Sequence, residues 1–126
     1  MMPADVPVWD RWLALHRQEF DTFLYDVRVG EGADMSEAPD HALNDAYKDL
    51  TKKRIDVIAR SLQLDLIIEV KDVLTFTALG QIIAYPILYE RTHKPTRSVG
   101  ILLLGASIMN DLPIVLETLQ VPYEIV

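Results

Sequence analysis

Residues 53 to 60 and 64 to 71 both alternate apolar and polar side chains, and only residues 61 to 63 separate them. A side-chain period of two belongs to a β-strand with distinct faces, and so short a gap joins two such strands as an antiparallel hairpin. In the first segment Ile55, Val57 and Ala59 alternate against Arg54, Asp56 and Arg60. In the second, Leu64, Leu66, Ile68 and Val70 point one way and Asp65, Ile67, Glu69 and Lys71 the other. The rest of the chain has to pack around this hairpin.

The flanking periodicities supply its packing partners. Residues 7 to 18 place Trp9, Trp12, Leu13 and His16 at helical spacing behind Pro7, which predicts a first helix with the tryptophans as core anchors. Residues 20 to 29 read as a strand with Phe23, Tyr25, Val27 and Val29 on one face, ending at a glycine-rich turn. Residues 30 to 41 lack periodicity and read as a loop, and 42 to 52 as a short helix leading into the hairpin. Residues 77 to 91 repeat Leu79, Ile82, Ile83, Ile87 and Tyr89 on a helical period, with Pro86 expected to kink or shorten that helix. The continuous apolar run 98 to 104 has the length of a strand buried on both faces. Asn110 or Asp111 then caps a helix with Pro113 in its first turn, ending at Leu119 or Gln120, and residues 121 to 126 make a last strand. The order predicts an α/β fold, a mixed sheet flanked by helices, in one domain over residues 1 to 126.

Composition narrows the chemistry. Half of the 126 residues are hydrophobic, enough for one core and too few for a separate recognition domain. There is no cysteine, so disulfides, thiolate metal sites and cysteine nucleophiles are excluded. A metal has to be held by oxygen or histidine, and with only His16, His41 and His93 the expectation is magnesium or manganese on carboxylates rather than zinc. The longest apolar stretch, residues 99 to 108, is about half of what a bilayer needs, and the first residues lack the basic flank of a secretory signal. A cytoplasmic location with no membrane partner is expected. The formal charge of -7 is carried by residues 1 to 45, where ten acids meet three bases. Residues 46 to 126 balance at nine and nine, with bases in two clusters: Lys48, Lys52, Lys53, Arg54 and Arg60, then Arg91, Lys94 and Arg97 with His93.

Asp56 on one strand of the hairpin, and Glu69 and Lys71 on the other, lie opposite the main apolar sets, which predicts that the three converge in a polar cleft. Two carboxylates and an amine suit hydrolysis of a phosphodiester: the acids hold a divalent cation, and a compact ammonium orients the water and shares the developing charge. Asp65, on the Glu69 face, reads instead as an exposed acid on an edge strand.

KRIDVIA at residues 53 to 59 followed by LIIEVK at 66 to 71 resembles the D...(D/E)xK core of the PD-(D/E)XK nuclease superfamily, and LGQIIAY at 79 to 85 resembles the QxxxY helix of its RecB-like branch. The resemblance covers about residues 54 to 126. Ile55 stands where the family carries a proline, and the cysteines of the iron-sulfur branch are absent. The resemblance implies a metal held by Asp56, Glu69 and the backbone carbonyl of Val70, with Lys71 and Gln81 catalytic. Tyr85, Lys53 and Arg54 would then contact the substrate. It also implies a further acid or histidine from the N-terminal region, for which Glu19, Asp10, His16 and His41 are candidates.

The expected function is therefore a Mg2+- or Mn2+-dependent deoxyribonuclease without long sequence recognition, its partner DNA. The acidic total charge keeps a second expectation open, a catalytically silent nuclease-like domain that binds or assembles within a nucleoprotein or viral complex. A chain of this size reaches a duplex most easily as a homodimer, with the 98 to 104 strand or the Trp9 and Trp12 helix as the expected interface.

Overall fold

A computed structural model of the protein describes residues 1–32, 45 and 53–126. Most of the loop and short helix expected between residues 30 and 52 lies outside the described residues, as do His41, Lys48 and Lys52. Helix α1 (Val6–His16) runs between two short 3-10 turns, Pro3–Asp5 and Arg17–Glu19. Pro7 sits in its first turn, where a missing N–H costs nothing, and Val8, Trp9 and Trp12 form its buried stripe. Strands β1 (Thr22–Val29), β2 (Lys53–Arg60) and β3 (Leu64–Leu74) pair antiparallel in that order. Helix α2 (Phe76–His93) crosses over to β4 (Ser98–Ile108), which runs parallel to β3. Helix α3 (Leu112–Leu119) then crosses to β5 (Tyr123–Ile125), parallel to β4. The result is an α/β fold with a five-stranded mixed sheet flanked by helices.

Two cores explain the sequence pattern. On one face α1 packs Val8, Trp9 and Trp12 against Val57, Ala59, Ile68, Val70, Leu102 and Leu104. On the other, α2 and α3 pack Ala78, Ile82, Tyr85, Tyr89, Leu112 and Leu116 against Ile58, Ile67 and Leu103. Because β4 feeds both cores with successive residues, its run is apolar throughout. Each fully buried leucine or isoleucine here stabilises the fold by about 1.5–3 kcal/mol. Strand β4 lies inside the sheet between β3 and β5, and the Trp9 and Trp12 side chains are 4% and 3% exposed, so they serve the core as expected of the tryptophans. Pro86 does not shorten α2, which continues through it to His93. Asp111 holds the N-cap position of α3 with φ 72° and makes no side-chain cap bond.

The alternation expected for β3 is observed, whereas that of β1 and β2 slips. Ile55 packs on the α2 side with Ile58, and Val57 and Ala59 on the α1 side, so Ile55 does not share a face with them as the sequence suggested. Likewise Phe23 and Tyr25 meet Trp9, but Val27 and Val29 join the α2 core. Asp26, with φ 52°, sits at the slip on β1. A left-handed residue in a strand turns the strand over, so beyond Asp26 the β1–β2 ribbon wraps toward α2.

Candidate active site

Register places three carboxylates in one row. The pairs Tyr25↔Val57 and Val27↔Ile55 set Asp26 across from Asp56, and Val57↔Ile68 sets Asp56 across from Glu69. The β2–β3 ladder closes from Arg60↔Asp65 to Val57↔Ile68 and stops, so from Asp56 and Glu69 onward the two strands part. Side chains take over the bonding there. The Asp56 N–H donates to Glu69 Oε1 at 3.3 Å, and the Val70 N–H donates to Asp56 Oδ2 at 3.0 Å.

Past that point β3 stays paired with β4 as far as Leu74↔Ile108, and its other edge meets the N-terminal turn. The Asp72 N–H donates to Asp5 Oδ1 at 2.7 Å, and the Met1 ammonium lies 3.3 Å from Asp56 Oδ1 and 3.4 Å from Asp26 Oδ1. The sheet thus forks, with Asp56 and Glu69 in the crotch. They are 7% and 1% exposed, so the pair is buried rather than presented to the open cleft expected from its strand parity. The reason is that α2 covers one side of the fork and the N-terminal turn lies along its edge.

Burial, followed by the negative charge of Asp56, pushes the Glu69 carboxyl up to about 8; the Asp56 N–H and the Lys71 charge pull it the other way less strongly. Lys71 is half-buried two residues along the same face of β3, as expected. Tyr85 projects from α2 toward Glu69, with Gln81 one turn earlier bonded to it. Tyr85 is 8% exposed, and its hydroxyl is pushed up by burial and then by the Glu69 charge, while a hydrogen bond from Gln81 opposes both. Gln81 Oε1 is buried with no hydrogen-bond partner among the described residues. Asp56, Glu69, Lys71, Gln81 and Tyr85 are therefore gathered at one place.

Other expected residues are not. Lys53 and Arg54 are exposed at the start of β2, three and two residues from Asp56. Asp10 is exposed on α1, and His16 pairs with Glu19 and stacks on Trp12 at the far end of that helix. At 1.5 Å per residue His16 lies about 16 Å along the axis from Asp5, so neither it nor Glu19 reaches the acid pair. His41 lies outside the described residues. The acids that the N-terminal region does bring are Asp5 and Asp26. Sequence reasoning missed both, because their placement depends on the register of β1 against β2 and on where the N-terminal turn docks.

At the closed end of the same ladder Asp65 is fully buried, where an exposed edge acid was expected. Strand β4 pairs along β3 and makes it central, and Asp65 accepts from Arg60 Nε and the Tyr89 hydroxyl, both at 2.7 Å.

Among the described residues no three His, Asp or Glu side chains stand close enough together to hold a metal ion. Magnesium is commonly held by one or two carboxylates and keeps several waters, so the donor set of Asp56 and Glu69 fits it. A strand residue turns its N–H and C=O to the same edge, and the Val70 N–H points at Asp56, so the Val70 carbonyl faces the fork as well. A cation beside the pair would offset both the burial and the Asp56 charge that raise the Glu69 carboxyl.

No family model, curated protein or solved structure matches this chain. Among the described residues no helix is long and apolar enough to cross a membrane.

Proposed function

We propose that the protein is a divalent-metal-dependent nuclease hydrolysing DNA phosphodiester bonds, on a PD-(D/E)XK core of the RecB-like kind. The observation that carries this reading is the company kept by the two fork carboxylates, with Lys71 on the same strand face and Gln81 and Tyr85 on the helix above Glu69. The helix and parallel strand that follow the motif, α2 and β4, support it.

Asp56, Glu69 and the Val70 carbonyl would hold Mg2+ or Mn2+. When bound, the ion supplies a Lewis acid that lowers the pKa of a water and neutralises charge on the phosphoryl oxygens. Lys71 offers a compact ammonium that orients the attacking water and stabilises charge building in the transition state. Gln81, whose Oε1 is unpartnered, directs Lys71 or the substrate strand. Tyr85 is too buried to reach far and fixes the Gln81 amide. Lys53 and Arg54, exposed on the adjoining ribbon, hold the phosphate backbone without reading sequence.

One observation favours a second reading, a catalytically silent nuclease-like domain within a nucleoprotein assembly: the acid pair is nearly shut off from solvent, and among the described residues no three His, Asp or Glu side chains stand close enough to hold a metal ion. Incubating the purified protein with plasmid, linear and branched DNA in Mg2+ and in Mn2+ separates the two. The nuclease reading expects cleavage that Glu69→Gln and Lys71→Ala each reduce by about 10²–10³-fold. No cleavage of any substrate by parent or variants, together with a stable large complex in native mass spectrometry, would replace it with the second.

A further inference from the structure

From Phe76 to Tyr89 helix α2 carries no charged residue, although it lies on the outside of the sheet. A surface helix ordinarily turns charged side chains outward, and one that is apolar all round is ordinarily buried on every side. The inner face of α2 is accounted for, since Ala78, Ile82, Tyr85 and Tyr89 pack on the sheet. One flank receives the tip of the β1–β2 ribbon: Gly30 lies against Leu88, and its N–H donates to Thr92 Oγ1 at 3.0 Å. The outer face has no such cover, and Phe76, Gly80, Ile83, Ala84 and Ile87 are exposed along it.

Phe76, Gly80, Ile83 and Ile87 follow one another at steps of four, three and four, the seam of a helix that packs lengthwise on another helix. This seam complements itself. Laid against its own reverse, it sets Phe76 against Ile87 of a second copy and Gly80 against Ile83 of a second copy, and a two-fold axis repeats both pairs. A Cβ added at Gly80 would meet no atom within 4 Å, so the glycine leaves an open hole on the seam into which the opposing Ile83 fits. Glycine inside a helix costs stability, and no positive φ requires one at this position. Helix α3 covers the same face of the sheet and exposes Ile114 and Leu119. Phe76, Ile83, Ile87, Ile114 and Leu119, 46–63% exposed, together leave roughly 500 Å² of apolar surface uncovered, close to the apolar share of the about 800 Å² that each partner buries in a standard interface.

We infer that the chain forms a two-fold dimer in which the outer faces of the two α2 helices pack antiparallel, with α3 extending the contact. A second copy is the occupant because the seam is complementary to itself. Charge points the same way: two chains of net charge -7 repel each other least where they meet on a surface free of charge. Tyr85 leaves α2 on the side turned toward the fork, so the pairing uses a different face of the helix from the one that carries the candidate site. The inference therefore rests on neither reading of the acid pair.

The test is sedimentation equilibrium of the full chain at micromolar concentration, which is expected to give twice the mass of one copy. Ile83→Glu places a charge on the seam and is expected to sediment as a monomer, with circular dichroism checking that it folds. Gly80→Leu is the sharper variant, because a side chain at 80 has room within one copy and favours the helix. It is expected to fold as the parent does and yet to weaken the dimer by at least about tenfold, since it fills the hole that the opposing Ile83 needs. The antiparallel register is read by cross-linking, because the chain has no cysteine of its own. On mild oxidation a mixture of Phe76→Cys and Ile87→Cys proteins is expected to form a disulfide-linked pair that neither protein forms alone. A monomeric parent would overturn the inference, as would a Gly80→Leu protein that associates as tightly as the parent. Linkage of Phe76→Cys to itself, or none in the mixture, would overturn the antiparallel pairing.

Discussion

Strands β2 and β3 carry two buried side-chain pairs, one at each end of their ladder, and the two are opposites. At the closed end Asp65 meets Arg60 and the Tyr89 hydroxyl; those bonds outweigh the cost of burial and hold its carboxyl below the usual range. At the open end Asp56 faces Glu69, acid against acid, and burial with like charge pushes Glu69 up to about 8. The first pair is complete within the chain. The second has the Met1 ammonium 3.3 Å from Asp56 Oδ1, but beside Glu69 only the weaker pull of Lys71. One end of the ladder is self-sufficient, whereas at the other Glu69 is buried beside a second acid at a cost in stability.

Substitutions at the two ends should act in opposite directions. Asp65→Ala strands the Tyr89 hydroxyl and the Arg60 guanidinium, and is expected to destabilise the protein by about 3 kcal/mol in urea unfolding. Glu69→Gln keeps an oxygen for the Asp56 N–H and removes the repulsion; at pH 8 it is expected to leave stability unchanged or raise it by about 1 kcal/mol. A Glu69→Gln protein less stable than its parent at that pH would mean that the acid pair is structural.

Titration separates the two ends again. Glu69, raised from 4.5 to about 8 in the fold, contributes stability that is fully present below pH 4.5 and is lost as pH rises through about 8. Asp65, lowered from 3.8, contributes stability present above that value and lost as pH falls through its folded value. Unfolding free energy measured without metal is therefore expected to decline between about pH 5 and 8 in the parent and much less in Glu69→Gln. Parallel curves for the two proteins would contradict the assignment. The smallest expected effect is at the rim of the fork: Asp5→Ala removes the acceptor for the Asp72 N–H and should cost about 1 kcal/mol. No change on thermal melting would mean that water replaces that bond.

The closed and open ends also differ in how far they could be read from sequence. Alternation over residues 64 to 71 assigned β3 its two faces correctly, because Leu66, Ile68 and Val70 go to one core and Ile67 to the other. It brought Glu69, Lys71, Gln81 and Tyr85 together, since both periods, two on a strand and nearly four on a helix, survive folding here. It misplaced Asp65, because centrality comes from β4 pairing on the other side, a fact about strand order that no local pattern contains. It misplaced Ile55, because the ribbon turns over at Asp26, across from Asp56, and strict alternation cannot register a left-handed residue. The burial of Asp56 and Glu69 was equally invisible, since it depends on the N-terminal turn lying along a fork more than fifty residues away in sequence.

Whether Asp56 and Glu69 together take a divalent cation is decided by titration calorimetry with Mn2+ near pH 7, repeated in buffers of different ionisation enthalpy. One binding event that releases close to one proton is expected, because Glu69 must ionise to coordinate, and Asp56→Asn and Glu69→Gln are each expected to abolish it. Binding that releases no proton and persists unchanged in Glu69→Gln, or no binding at all by the parent, would contradict a cation site in the fork.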